Sequence, residues 1–300
     1  MSGGHQVVMT SHSPEILTRS PSETIRWVDR TQSVAKGGYD VSNMLYELGA
    51  SPDTYVQYSN LQEVLVYVEG TTDRPLIEAI IAWCRDKSDV QLPSTLVIPH
   101  RDGRFESPTL HGIVKLGRTL NANVQVVGIR DLDWYYHETP PEEAILENGD
   151  GWAMLTLPCK EVENLYCDPD VLFECCRRHV ELSSLRTIVD RASLDSDLMN
   201  EWRFQLLPRI RSRLRNGLDD STKEKMAEEM FEKWAADSEA RRRLVAGKRL
   251  LSMVRKELRE TRGVNFYVVR AAEQLPKLSG PMVAIAKAIF PQIDSSVFMD

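Results

Sequence analysis

Short apolar runs alternate with amphipathic stretches through the middle of this 300-residue chain. The runs are five or six residues long, rich in Val, Ile and Leu, and typical of strands covered on both faces. They occupy residues 64–68, 94–99, 124–129 and 153–157. Because helical patterns separate the first three runs, the order predicts βαβ units and a mainly parallel sheet.

Two helices are predicted between these strands. Asp73 is placed to cap the first, Pro75 suits its first turn, and apolar positions three and four residues apart continue to about Arg85. The pair Ser107-Pro108 opens the second, which turns Leu110 and its helical neighbours inward. The fold class expected is therefore α/β, with a Rossmann-like sheet.

The flanks of this α/β region have a different pattern. Residues 6–10 and 24–30 predict short strands, residues 34–60 are polar and dotted with Gly and Ser, and the chain after about 169 has helical patterns without a convincing strand. This divides the chain into a first segment, a linker, the α/β domain, and a helical insert with a helical C-terminal region. Their predicted bounds are 1–35, 36–60, 61–168 and 169–300.

Composition narrows the class of protein. Hydrophobic residues make up 42% of the chain and charged residues 27%, which is typical of a globular protein. No apolar run approaches the roughly 18 residues of a membrane span, and the first residues lack a signal-peptide pattern. Five cysteines without a CxxC pair disfavour a disulfide framework, so a cytoplasmic location is expected. The net charge is −7, yet residues 201–262 carry 17 Lys/Arg against 11 Asp/Glu.

Carboxylates follow two of the predicted strands directly. Glu69 directly follows the strand in VLVYVEG, Asp131 and Asp133 follow the strand in VVGIRDLD, and Asp73 lies four residues after Glu69. Since ligands of parallel sheets bind beyond the carboxyl ends of the strands, these acids would converge if the strands are neighbours. Clustered carboxylates need a cation, and oxygen ligands suit Mg²⁺ or Mn²⁺. The alternative to a metal site is a structural role, in which each acid caps a helix on its own.

These two stretches resemble the TOPRIM domain of topoisomerases, primases and OLD-family nucleases. The resemblance implies that Glu69, Asp131 and Asp133 are catalytic and bind Mg²⁺. It also aligns Asp73 with an acid found at this offset in OLD-type nucleases. Gly70 matches the family's glycine beside the site.

Three further stretches resemble OLD-family proteins in particular. QVVMTSHSPEIL resembles the last strand and switch-histidine loop of an ABC-type ATPase, which implies a γ-phosphate sensor at His12; an ordinary loop histidine is the alternative. LPCKEVENLYCDPDVL resembles a segment of these proteins and aligns Glu163 with a recurrent acid. That acid would be either a metal ligand or a capping residue. VAGKRLLSMV aligns Lys248 with a lysine implicated in nuclease chemistry, against the alternative of an exposed helix-end lysine.

The chain departs from that family at its nucleotide site. No GxxxxGK[ST] loop is present, and no signature motif or Walker B strand precedes His12. ATP binding is therefore expected only if an ATPase core is supplied. We interpret the chain as a fragment of a longer ATPase or as one that acts with an ATPase partner.

Three classes of function compete. The leading interpretation is a metal-dependent endonuclease, the TOPRIM part of an OLD-like ATPase-nuclease in phage defence or DNA processing. The second is a non-catalytic TOPRIM module that regulates or docks an ATPase partner. The third, a phosphatase with an Asp nucleophile in DLD, leaves Glu69 unexplained. Expected partners are DNA or RNA, the ATPase core and a second copy of the chain, with no membrane.

Other residues have both a functional and a structural interpretation. Arginines in the helical region would bind phosphates or form solvated helix faces: Arg209, Arg211, Arg213, Arg215 and Arg241–Arg243. Trp134-Tyr135-Tyr136 would stack on bases or pack over a strand end. His100, Arg101 and Asp102 lie at the expected rim or form a loop turn. Cys175-Cys176 are predicted to be buried helix residues.

Overall fold

The computed structural model describes residues 9–11, 13, 16, 26–28, 35–37, 64–100, 106–120, 124–132, 143–176, 179–214, 217–265 and 275–298. The described strands are β1 Arg26–Val28, β2 Ala35–Gly37, β3 Val64–Val68, β4 Thr95–Pro99, β5 Gln125–Arg130, β6 Ile145–Gly149 and β7 Trp152–Thr156. The described α-helices are α1 Asp73–Lys87, α2 Ser107–Leu120, α3 Pro169–Cys175, α4 Leu182–Ser193, α5 Ser196–Arg213, α6 Asp220–Ala236, α7 Ser238–Leu244, α8 Gly247–Arg262 and α9 Gly280–Ile289. Two 3-10 helices span Val162–Cys167 and Ser295–Phe298.

A five-stranded sheet forms the centre of the α/β region, in the order β4-β3-β5-β7-β6. Strands β3, β4, β5 and β7 run parallel, and each arises from one of the apolar runs in the sequence. All five residues of β3 are buried, which explains why this strand has no polar alternation. The predicted α/β class and mainly parallel sheet are confirmed.

Strand β6 was not predicted, because its sequence ILENG has no apolar run and most of it is exposed. It pairs antiparallel with β7 through a tight turn at Asp150-Gly151. Gly151 has a φ of 80°, a conformation that favours glycine. The sequence NGDGW contains the glycine-rich signal of this hairpin.

The C-terminal helix α9 packs back onto the α/β region, against α1, β5 and β7. Trp83 of α1 is 2% exposed, and its indole N–H donates to the Leu275 carbonyl at 2.7 Å. Its ring stacks on Phe298 with centroids 6.1 Å apart. The end of the chain therefore completes the core around α1.

Helices α3 to α8 form the helix-rich region that the sequence predicted after residue 169. Helix α8 packs against the 3-10 helix Val162–Cys167 and against α4, while α5 packs on α6. Within the part of the chain that the structure describes, no helix is both long and apolar enough to cross a membrane. The contact of α8 with the 3-10 helix matters most, because it brings the late Gly-Lys pair to the sheet edge.

At the other end of the chain, the strand predicted at 24–30 is present as β1. It pairs antiparallel with β2, which the sequence did not predict. His12 lies outside the described residues.

Candidate active site

Glu69 and Asp131 lie at the same edge of the sheet, as the sequence predicted, because β3 and β5 are neighbours. Val68 pairs with Ile129 in parallel register, so Glu69 follows one strand end and Asp131 the next. Asp131 is 8% exposed. Asp133 lies outside the described residues, so its predicted place in the site stays a prediction.

Asp73 is buried at the same edge, with 5% exposure. It is the first residue of α1 and not its N-cap, which is Thr72, so the predicted capping role is wrong. Its carboxylate instead accepts the Gly70 N–H at 2.8 Å and the Thr72 hydroxyl at 3.2 Å. Burial raises the pKa of Asp73, and Lys248 and these hydrogen bonds oppose that rise. The turn after β3 therefore holds a carboxylate in a desolvated position.

A second segment, 158–167, is tied to the start of α8 by hydrogen bonds. The Asn164 amide donates to the Arg242 carbonyl at 2.6 Å and to the Val245 carbonyl at 3.1 Å. The Lys248 N–H donates to the Glu161 carboxylate at 2.7 Å. A Cβ on Gly247 would lie 2.5 Å from Asn164 Oδ1 and 2.9 Å from its backbone nitrogen, so only glycine permits this approach. These contacts fix the backbone position of Lys248.

Lys248 faces Glu163 across this contact. Its Nζ lies 3.8 Å from Glu163 Oε1, and the lysine side chain is 52% exposed whereas that of Glu163 is 8% exposed. The other oxygen, Glu163 Oε2, is buried and has no hydrogen-bond partner among the described residues. Burial raises the pKa of Glu163 to about 7; Lys248 opposes this rise, and Asp73 adds to it.

Lys248 also interacts with carboxylates from other elements. Burial lowers the pKa of Lys248, but Glu163, Asp73, Glu161 and Asp131 together more than offset this and leave it raised. We call Asp73, Asp131, Glu163 and Lys248 the carboxylate–lysine cluster. Its members come from α1, the end of β5, the 3-10 helix and α8, which are far apart in sequence.

A buried cysteine next to this cluster supports the same arrangement. Burial raises the pKa of Cys159 well above its usual range, and the charges of Asp131 and Glu163 add to that rise. The Leu132 N–H donates to the Cys159 carbonyl at 3.0 Å, so the segment after β7 runs directly beside the end of β5. Asp131 and Glu163 therefore lie in one neighbourhood beside Cys159.

The donor chemistry of the cluster fits a hard divalent cation. Desolvated carboxylates and an unpartnered carboxylate oxygen at Glu163 are groups that Mg²⁺ or Mn²⁺ would stabilise. No group of three or more potential ligands suited to a metal occurs among the described residues, a set that does not contain Asp133. Mg²⁺ sites commonly use one or two carboxylates with water and substrate phosphate for the remaining positions.

Sequence reasoning missed Glu161 and Asn164, which position the cluster without belonging to it. Glu161 is the N-cap of the 3-10 helix and forms a capping box with Asn164. An acid followed three residues later by an amide is the available signal in KEVEN. Of the two alternatives for Glu163, the capping role falls to Glu161 instead.

Several arginines proposed as phosphate contacts have internal partners. Arg241 is 6% exposed, and it donates to the Ser193 hydroxyl at 3.3 Å and to the Ala235 carbonyl at 2.7 Å. Arg243 donates to the Pro158 carbonyl at 3.2 Å, and Arg211 lies 3.4 Å from a Glu224 oxygen. The phosphate-binding interpretation of Arg241 is therefore wrong, since its guanidinium is used inside the protein.

The remaining predicted residues divide by position. Cys175 and Cys176 are buried, as predicted. His100 lies at the expected rim, where its N–H donates to the Val68 carbonyl at 2.7 Å. Arg101, Asp102, Arg215 and Trp134–Tyr136 lie outside the described residues.

A cavity of about 510 Å³ lies at the opposite edge of the sheet, where β5 and β7 begin. Its wall includes Arg118 and Lys287, but the Arg118 guanidinium makes two 2.7 Å bonds to Asp150. The cavity contains none of the clustered carboxylates. The candidate chemistry is therefore at the carboxyl edge.

The chain matches no protein-family model, and no curated protein matches it. The OLD-family and TOPRIM resemblance consequently rests on the sequence motifs.

Proposed function

We propose that this chain is a divalent-metal-dependent phosphodiesterase that cuts nucleic acid, with a TOPRIM-like α/β domain related to OLD-family nucleases. The observation that carries the proposal is the carboxylate–lysine cluster at the carboxyl edge of a parallel sheet. Burying several carboxylates together is costly unless cations compensate them, and Lys248 supplies only one positive charge.

Each residue of the cluster has a role in this proposal. One or two of the carboxylates of Glu69, Asp73, Asp131 and Glu163, with Asp133, would hold Mg²⁺ or Mn²⁺, and water and substrate phosphate would take the remaining positions. When bound, such a cation activates water and stabilises the negative charge that develops on phosphate oxygens. Lys248 remains half-exposed, so its ammonium group is available to bind a non-bridging phosphate oxygen beside the carboxylates.

Other features of the chain set the protonation of Glu163 and the position of Lys248. With its pKa raised to about 7, Glu163 is partly protonated at neutral pH, and a bound cation would favour its ionised form. Glu161 and Asn164 hold the start of α8, so Lys248 is presented at a fixed point of the site. The roles of Asp133 and of any ATPase partner belong to the same proposal.

The test compares the wild-type chain with Asp131→Ala and Glu69→Ala on plasmid DNA and on structured RNA, in Mg²⁺, Mn²⁺ or EDTA. The matched control is Asp150→Ala, which removes an exposed acid at the opposite edge of the sheet. We expect cleavage by the wild type and the control only, and weaker Mn²⁺ binding by the site variants in calorimetry. Equal cleavage by Asp131→Ala, or no Mn²⁺ binding and no cleavage by any form, would contradict the proposal.

A further inference from the structure

The positive charge of the helical region is concentrated in α7 and α8. Residues 201–237 contain eight Lys/Arg and eight Asp/Glu, whereas residues 238–262 contain nine Lys/Arg and three Asp/Glu. The first part is also paired internally: Arg203 lies 2.8 Å from Glu228, and Arg211 lies 3.4 Å from Glu224. On α7, Arg241 is buried and Arg243 donates to the Pro158 carbonyl, so the exposed excess of positive charge is on α8, which carries six Lys/Arg and two Asp/Glu.

Four of the six basic residues of helix α8 lie in a line. The exposed residues at spacings of four, three, four and three positions fall on one face: Lys248, Ser252, Arg255, Arg259 and Arg262. We call these five residues the basic stripe. The opposite face, with Leu250, Val254 and Leu258, is buried, so the stripe is held toward solvent. Over 14 residues at 1.5 Å per residue the stripe is about 21 Å long.

The stripe starts inside the candidate active site, because Lys248 belongs to the carboxylate–lysine cluster. Helix electrostatics alone does not explain this arrangement. The helix dipole stabilises cations in the last turn, such as Arg259 and Arg262. Arg255 lies in the middle of the helix, where the dipole has little effect. Lys248 lies in the first turn, where the dipole disfavours a cation.

We propose that the basic stripe binds consecutive phosphates of one nucleic-acid strand and directs that strand into the carboxylate–lysine cluster. The proposal rests on the phosphodiesterase function and names its substrate-binding surface. Charge complementarity carries it: a polyanion is the partner that matches a line of cations leading to a site for phosphate chemistry. At 3.4 Å per nucleotide along a duplex strand, 21 Å corresponds to about six nucleotides.

The experiment measures binding without cleavage, by fluorescence anisotropy of labelled 20-nucleotide single strands and 20-base-pair duplexes in EDTA at several KCl concentrations. The test variant replaces Arg255, Arg259 and Arg262 by Gln. The matched control replaces Lys223, Lys225 and Lys233 of α6 by Gln. It changes the net charge equally on a helix whose main contacts are with α5 and α7.

We expect the stripe variant to bind at least about tenfold more weakly at 100 mM KCl. Its slope of log affinity against log salt should fall by about two to three, because each lost phosphate contact removes about 0.7 to 0.9. The α6 control should stay near the wild type, and thermal unfolding should confirm that both variants fold. Equal weakening in both variants, an unchanged slope in the stripe variant, or no binding by the wild type would each overturn the proposal.

The outcome separates this inference from the proposed function. Loss of binding in the stripe variant, together with cleavage that survives in Asp131→Ala, would uphold the stripe and refute the assignment of the catalytic site. Metal-dependent cleavage that requires Asp131, together with normal binding and cutting by the stripe variant, would refute the stripe and leave the site assignment standing.

Discussion

Glu163 should make the folded protein less stable as the pH rises from about 4.5 to about 7. Burial raises the pKa of Glu163 from its usual value of 4.5 to about 7, so the folded state retains this proton where the unfolded state has lost it. Stability falls with pH wherever the folded state binds more protons than the unfolded state. The loss begins near the unfolded pKa and is complete above the folded one.

The magnitude follows from the same two pKa values. One pKa unit corresponds to about 1.4 kcal/mol, so the difference is worth about 3 kcal/mol at pH 8. The Glu163 side chain is only 8% exposed, so solvent screening reduces this figure little. In Glu163→Gln the group cannot ionise, and that pH-dependent loss should disappear.

Urea denaturation at pH 5 and pH 8 in EDTA measures the effect, with Glu260→Gln on the exposed surface of α8 as the control. The stability of Glu163→Gln relative to the wild type should increase by up to about 3 kcal/mol between the two pH values. The control should show no such change. The same pH dependence in the wild type and Glu163→Gln would refute the buried-carboxylate reasoning.

A metal arm of the same experiment connects stability with function. At pH 8, Mg²⁺ should stabilise the wild type more than Glu163→Gln, because a cation bound to the folded state compensates the ionised carboxylate. Equal stabilisation of both proteins would remove Glu163 from the set of metal ligands.

Two further predictions concern the contact that positions Lys248 and the absence of a phosphate-binding loop from the sequence. Gly247→Ala should destabilise the protein by about 1–3 kcal/mol in urea denaturation, because the new Cβ would lie 2.5 Å from Asn164 Oδ1; Gly280→Ala, where a Cβ would meet nothing within 4 Å, is the control. The purified chain should not hydrolyse ATP in a phosphate-release assay, since no P-loop holds the β- and γ-phosphates; turnover that persists in His12→Ala would reveal a nucleotide site elsewhere.

Much of the α/β region was predictable from local patterns. Buried parallel strands need apolar residues on both faces, so VLVYV and VQVVGI are recognisable without any partner. Because the carboxyl ends of such strands share one edge, Glu69 and Asp131 could be placed together before the strand order was known. Strand β6 escaped prediction because it is an exposed edge strand, whose pairing depends on the hairpin turn and not on hydrophobic pattern.

The sequence by itself determined which residue types stand at the strand ends; the tertiary structure decided which of them interact. Lys248 lies 85 positions after Glu163, and no periodicity relates them, but hydrogen bonds from Asn164 and to Glu161 bring the two side chains together. Only the packed structure determines which side chains are buried. Burial raises the pKa of Glu163, and the Arg241 side chain is buried inside the protein. Packing also leaves α8 with one side facing solvent. The basic stripe therefore exists only when the apolar side of that helix is packed against the 3-10 helix and α4.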